Sequence, residues 1–165
     1  MVKRVIVACL LAVCPVSIAS LPADTQVPFK GTWTGVTVSA DLTNFPVVAV
    51  VSEGGGQLPH LGRYTMVSPH TSHVFTGETL GDQIFTAANG DTLTAYCEGF
   101  PLPQPDGTVV GALDCTITGG TGRFAGATGE YEFFLVASPR TDGGIGYATV
   151  ATIDGTISSV GSNKR

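Results

Sequence analysis

Thr116-Ile117-Thr118-Gly119-Gly120-Thr121-Gly122-Arg123-Phe124-Ala125-Gly126-Ala127-Thr128-Gly129 is the densest glycine cluster in a chain of 165 residues. An alternating segment, Thr108 to Thr118, leads into it, and Glu130-Tyr131-Glu132-Phe133-Phe134-Leu135-Val136 leads out, so the cluster joins two strands. Gly119, Gly120, Gly122, Gly126 and Gly129 permit positive φ and close backbone approach, and Phe124 is placed to plug the end of a barrel. A phosphate-cradling loop needs a strand, then glycines, then a helix carrying Lys and Ser or Thr. Here a second strand follows Arg123-Phe124-Ala125 and no such Lys is present. The stretch reads as a corner of the fold and not as a nucleotide site.

Immediately upstream, Thr92 to Gly99 and Thr108 to Thr118 alternate as strands around Phe100-Pro101-Leu102-Pro103-Gln104-Pro105-Asp106-Gly107, whose prolines and Asp-Gly forbid regular structure. Folding this hairpin about Asp106 sets Cys97 opposite Cys115. Leu93, Ala95 and Cys97 then share a face with Val109, Leu113, Cys115 and Ile117, and the apolar faces coincide only in that register. A disulfide follows, contributing about 3 kcal/mol in the chain-entropy model. A redox or metal-binding pair would want a CxxC or a nearby His, and neither is present. The same register places Glu98 opposite Asp114. Two outward solvated carboxylates are the plain reading; an inward pair with a raised pKa, or one bridged by Arg63 or Arg123, is the sharper one.

Further out, Asn89-Gly90 is a strong hairpin signal joining Asp82–Ala88 to the strand from Asp91 onward. Earlier strands are expected over Phe29–Val38, over Val47–Val51 bounded by Gly54-Gly55-Gly56, and over Gly62–Val67. His70-Thr71-Ser72-His73 should open a loop-like stretch reaching Gly81. The last strand runs from Ile145 to Ile153, with Tyr147, Thr149, Ala151 and Ile153 on one face and Asp154-Gly155 as a turn. No helical period appears. The fold class is therefore all-β: a single antiparallel β-barrel of about eight strands, around a lumen that is either filled or large enough for a ligand.

The N-terminus reads as an export signal. Lys3-Arg4 precede an apolar run from Val5 to Val16, and Ser17-Ile18-Ala19 is a small-x-small cleavage pattern. A lipoprotein site at Cys14 would put bulky Val13 where a small residue is wanted. The expected organisation is a signal peptide over 1–19, an extended leader over 20–28, the barrel over 29–157 and a flexible tail over 158–165. The destination is secreted or periplasmic, without membrane insertion. Losing Lys3 and Arg4 takes the net charge from -5 to -7, which argues against nucleic acid as a partner.

Residues 117–129, followed by an aromatic strand, resemble the signature of allene oxide cyclases and dirigent proteins. Asn89-Gly90-Asp91 and Asp106-Gly107-Thr108 are similar as well, and the likeness covers about residues 75–137. That resemblance implies an eight-stranded antiparallel barrel, often trimeric, with an apolar lumen. Plant members cyclise an unsaturated fatty epoxide or steer the coupling of phenolic radicals. The cyclases place a glutamate on the first strand, whereas this chain has no acid between Phe29 and Ala40. Dirigent-type activity looks to lumen Asp, Arg and Tyr residues, matched generically by Asp82, Arg63 and Tyr64.

Three functional classes remain. One is a barrel that binds a small apolar or aromatic molecule, with Trp33, Arg63, Tyr64, Phe85 and Phe124 as candidates for its wall or plug. Another is a cofactor-independent isomerase, cyclase or dirigent-type stereocontrol protein, in which confinement does much of the work. The third is a scaffold with a filled barrel. No cofactor is implied. His70 and His73, with His60 and either Glu78 or Asp82, have the residue types of a metal site but not a scaffold that aligns them, so no metal is expected.

Overall fold

Nine strands, Gln26–Asp41 (β1), Val47–Leu58 (β2), Gly62–His73 (β3), Thr79–Ala87 (β4), Thr92–Gly99 (β5), Leu102–Pro103 (β6), Val109–Gly120 (β7), Gly129–Pro139 (β8) and Tyr147–Ser158 (β9), make up the computed structural model, which describes residues 25–158. All pairings are antiparallel. They follow the order β5-β4-β3-β2-β1-β9-β8-β7, and β5 pairs with β7 to close the ring. Eight long strands form the barrel, and β6 only edges β7. The expected signal peptide, most of the leader and the tail beyond Ser158 lie outside the described residues. Among the described residues no helix is long and apolar enough to cross a membrane.

Strand alternation builds the core. Phe29, Trp33, Tyr64, Met66, Phe85, Leu93, Tyr131, Phe133 and Ile153 point inward and are buried, while Glu130 and Glu132 between them are exposed. The disulfide hairpin has the expected register, with Cys97 opposite Cys115, Glu98 opposite Asp114 and the sulfurs bonded. The register then slips by one: Ala95 faces Ile117 but Thr94 faces Gly119, leaving Thr118 as an extra residue.

Several strands exceed their sequence-based limits. β1 begins at Gln26, so the last three residues of the expected leader pair with β9. β2 runs straight through Gly54-Gly55-Gly56, which were expected to bound it. A side chain on Gly56 would collide with the Thr32 carbonyl of β1 and the Tyr64 hydroxyl of β3, so glycine there permits close packing instead of ending the strand. β3 continues through Pro69 to His73, so the two histidines stand on a strand and not in a loop. Pairing to β4 lapses at Ser68 and Pro69 and resumes at His70 opposite Gly81 in the same register. Asp154-Gly155 is not a turn. Both residues are paired on two sides, to Lys30 and Phe29 of β1 and to Glu132 and Tyr131 of β8, and the two ladders override the local turn preference.

The glycine cluster forms a single 3₁₀ turn, Gly122–Phe124, between β7 and β8. Gly122 has φ of +56°, and a side chain there would strike the Asp91 carboxylate. Asp91 comes from the Asn89-Gly90 hairpin. Its carboxylate accepts the backbone N–H of Arg123 at 3.3 Å and the Asn89 amide at 2.9 Å, while Thr121 N–H donates to the Thr92 carbonyl at 2.8 Å. The two turn signals are therefore one structure. Phe124 is fully buried beneath it, with the Arg123 guanidinium 5.0 Å above its ring.

Candidate functional site

The barrel is filled at one end and hollow at the other. At the closed end, Phe29, Phe85 and Tyr131 pack at centroid distances of 5.4 to 6.3 Å, and Tyr64 lies 5.3 Å from Phe85. Leu58, Leu93, Phe124 and Ile157 complete this plug. At the other end, most inward positions of β2 to β4 carry smaller side chains: Val48, Val50 and Ser52 on β2, Ser68 and Ser72 beside His70 on β3, Thr79 and Gly81 beside Gln83 on β4. A cavity of about 350 Å³ results, floored by Trp33, Met66 and Phe133.

Its mouth is formed by the loops 42–46, 74–78, 100–108 and 140–146. Leu42, Phe45, Val74, Phe75, Phe100 and Ile145 are exposed on those loops, with Phe45 and Phe75 in edge contact at 5.6 Å. The path into the cavity is thus bordered by apolar side chains.

Part of the polar lining is committed to hydrogen bonds within the barrel. Gln83 Oε1 accepts the Tyr131 hydroxyl at 2.8 Å, a bond reaching between strands that are not neighbours. Ser72 and Thr79 hydroxyls share a hydrogen bond at 3.0 Å, and Thr37 Oγ1 accepts the Tyr147 N–H at 3.1 Å. His70 Nδ1 lies 3.0 Å from the Ser68 carbonyl, so this nitrogen carries the proton and Nε2 is left as an acceptor. Burial pushes the His70 pKa below its usual value, partly offset by that hydrogen bond, and the imidazole is neutral at pH 7. Burial, with Tyr64 nearby, holds the Tyr131 phenol far above its usual pKa, and burial does the same for Tyr64. Trp33 Nε1–H is buried with no acceptor among the described residues. None of the described residues lining the cavity is Asp, Glu, Lys or Arg.

The sequence candidates separate accordingly. Trp33 lines the cavity. Tyr64, Phe85 and Phe124 belong to the plug, where the Tyr64 hydroxyl donates to the Thr32 carbonyl at 2.9 Å. Arg63 is exposed on the outer face opposite Gln57, and its expected place in the lumen is incorrect, because the strand alternation that turns Tyr64 inward turns its neighbour out. Asp82 is exposed for the same reason beside Gln83. Glu98 and Asp114 are opposite each other but face solvent, which removes the reading of an inward acid pair. Their row continues across the outer face through Glu132 to Asp154, which pairs with Lys30 at 2.8 Å. His70 reaches the lumen, whereas His73 sits at the rim and accepts the Thr76 N–H at 3.2 Å. Among the described residues no group of three His, Cys, Asp or Glu side chains is arranged to hold a metal.

Gln83, Ser52, Ser68 and Ser72 escaped the sequence reading. Gln83 was legible, since it alternates with Phe85 and Ala87 on one face. Ser68 and Ser72 were hidden because β3 was expected to end at Val67, and Ser52 because β2 was expected to end at Val51.

No family model and no curated relative matches the chain. Among solved structures it is similar to a pterocarpan synthase dirigent protein, at 16% identity and a TM-score of 0.48, over 89% of this chain and 92% of that one. The barrel rests on its own strand pairings and not on this likeness.

Proposed function

We propose that the protein is an exported barrel that binds a small, mainly apolar molecule in its hollow half. The observation that carries this is the cavity of about 350 Å³, open at one end and walled by small apolar and uncharged polar side chains. A wall of that kind, with a few placed hydrogen-bonding groups, is what small-molecule sites have in common. The disulfide between Cys97 and Cys115 supports an oxidising destination, as does the basic, apolar, small-residue order of the first nineteen residues.

Native mass spectrometry of the exported protein from its own host tests the reading by looking for a co-purifying ligand. Trp33, the single tryptophan of the chain, lines the cavity and gives a second readout, quenching by apolar probes. Repeated preparations without a bound molecule and without quenching sink the proposal.

A cofactor-independent isomerase is the second reading, and His70 is the observation that favours it. A neutral imidazole with Nδ1–H donated to a backbone carbonyl presents Nε2 as a base within the lumen. It displaces the binding reading if the co-purifying molecule is returned chemically altered and His70→Gln stops the conversion without stopping binding.

A further inference from the structure

The hydrogen-bonding character of the lumen selects among small molecules. Gln83 is inward on β4 and 2% exposed. Tyr131, kept as a protonated phenol by its burial, donates to Gln83 Oε1. With its oxygen committed, the amide is oriented with its NH₂ as the remaining group, and that NH₂ has no acceptor among the described residues, although Gln83 lines the cavity. Trp33 Nε1–H, on another cavity-lining residue, also lacks an acceptor. Both of these groups are donors only, whereas the Ser52 and Ser68 hydroxyls that line the same cavity can donate or accept. A carbonyl oxygen offers lone pairs and brings no proton that would need a partner of its own, whereas a hydroxyl does. The wall holds no Asp, Glu, Lys or Arg among its described residues, so a carboxylate or ammonium ligand would lose its hydration without gaining a counter-charge.

We propose that the lumen selects neutral, mainly apolar molecules that carry a carbonyl oxygen, and that Gln83 Nε2 is the donor that receives it. This rests on the lumen-binding reading above. Gln83 acts here as a specificity-determining residue, held in place by Tyr131.

Benzophenone and 1,1-diphenylethylene have nearly the same shape, and differ in C=O against C=CH₂. Equilibrium dialysis of each against the intact exported protein measures the preference directly. The hydrocarbon is the more apolar of the two, so a lumen without a carbonyl donor favours it. The expected result is benzophenone bound at least about fivefold more tightly by the natural protein, as a hydrogen bond to an otherwise unmet buried donor requires. Gln83→Leu should reverse the order. A natural protein that prefers the hydrocarbon, or a ketone preference that survives Gln83→Leu, overturns the inference and leaves the lumen reading standing. Binding of neither probe overturns both. Should Gln83→Leu fail to fold, the infrared C=O stretch of benzophenone bound to the natural protein decides. A shift to lower wavenumber than in hexane supports the hydrogen bond, and an unshifted band overturns it.

Discussion

The two halves of one barrel have the same strands and opposite interiors. In the closed half, inward positions carry Phe29, Tyr64, Phe85, Leu93 and Tyr131, and the glycine corner caps them with Phe124. In the open half the same strands carry Ser52, Ser68, Ser72, Thr79 and Gly81, and the lumen stays hollow. Apart from the lapse between β3 and β4 at Ser68 and Pro69, every neighbouring pair of barrel strands is joined, so the cavity is not a gap between unpaired strands. It follows from side-chain volume at alternate positions. Stability is therefore concentrated in one half and ligand capacity in the other.

The sharpest way to break this contrast is to truncate one large inward residue in each half. Phe85→Ala should cost about 3–5 kcal/mol by urea unfolding, because a fully buried ring leaves a cavity in packed surroundings. Val50→Ala, on the wall of a space already hollow, should cost about 1 kcal/mol. Equal costs would mean that the two halves are packed alike. Next in size, replacing both Cys97 and Cys115 with Ser should lower stability by about 3 kcal/mol, the loop-closure value for a bridge of this span. If the untreated protein instead takes up two thiol-alkylating groups, the bond is absent. Ser52→Phe fills the hollow half. It should weaken quenching of Trp33 by apolar probes at least about tenfold and move the melting temperature by only a few degrees, because a filled pocket loses its ligand without losing its plug. The smallest effect is that of pH. His70 has a depressed pKa in the folded protein, so below about pH 6.5 the unfolded chain binds a proton that the native one resists. Stability should be level above that pH and decline as the pH falls toward the folded-state value. His70→Asn should flatten this part of the profile in urea titrations at pH 7.5 and 5.5.

Local signals proved sufficient wherever a turn or an alternating pair determined the geometry. Asn89-Gly90 and the Asp106-centred hairpin appear where the residues put them, and the Cys97–Cys115 register follows from matching two apolar faces. Local signals misled where a residue with a strong turn preference lies inside a long strand. Gly54 to Gly56, Pro69 and Asp154-Gly155 all read as boundaries, and all are paired on at least one side. Truncating β3 at Val67 hid the part of the cavity wall made by Ser68, His70, Ser72 and His73.

The chain's own residue order determined that it would be an antiparallel barrel with one cross-strand disulfide and a glycine-built corner, because those features depend on alternation and on turns a few residues long. Closure of the ring decided the rest. Only the pairing of β5 with β7 brings Tyr131 to Gln83 and separates the plug from the hollow. A row of small residues on one strand makes a cavity only when the strands across from it are small at the same height. That depth is fixed by the stagger of the closed sheet, a property of all eight strands together.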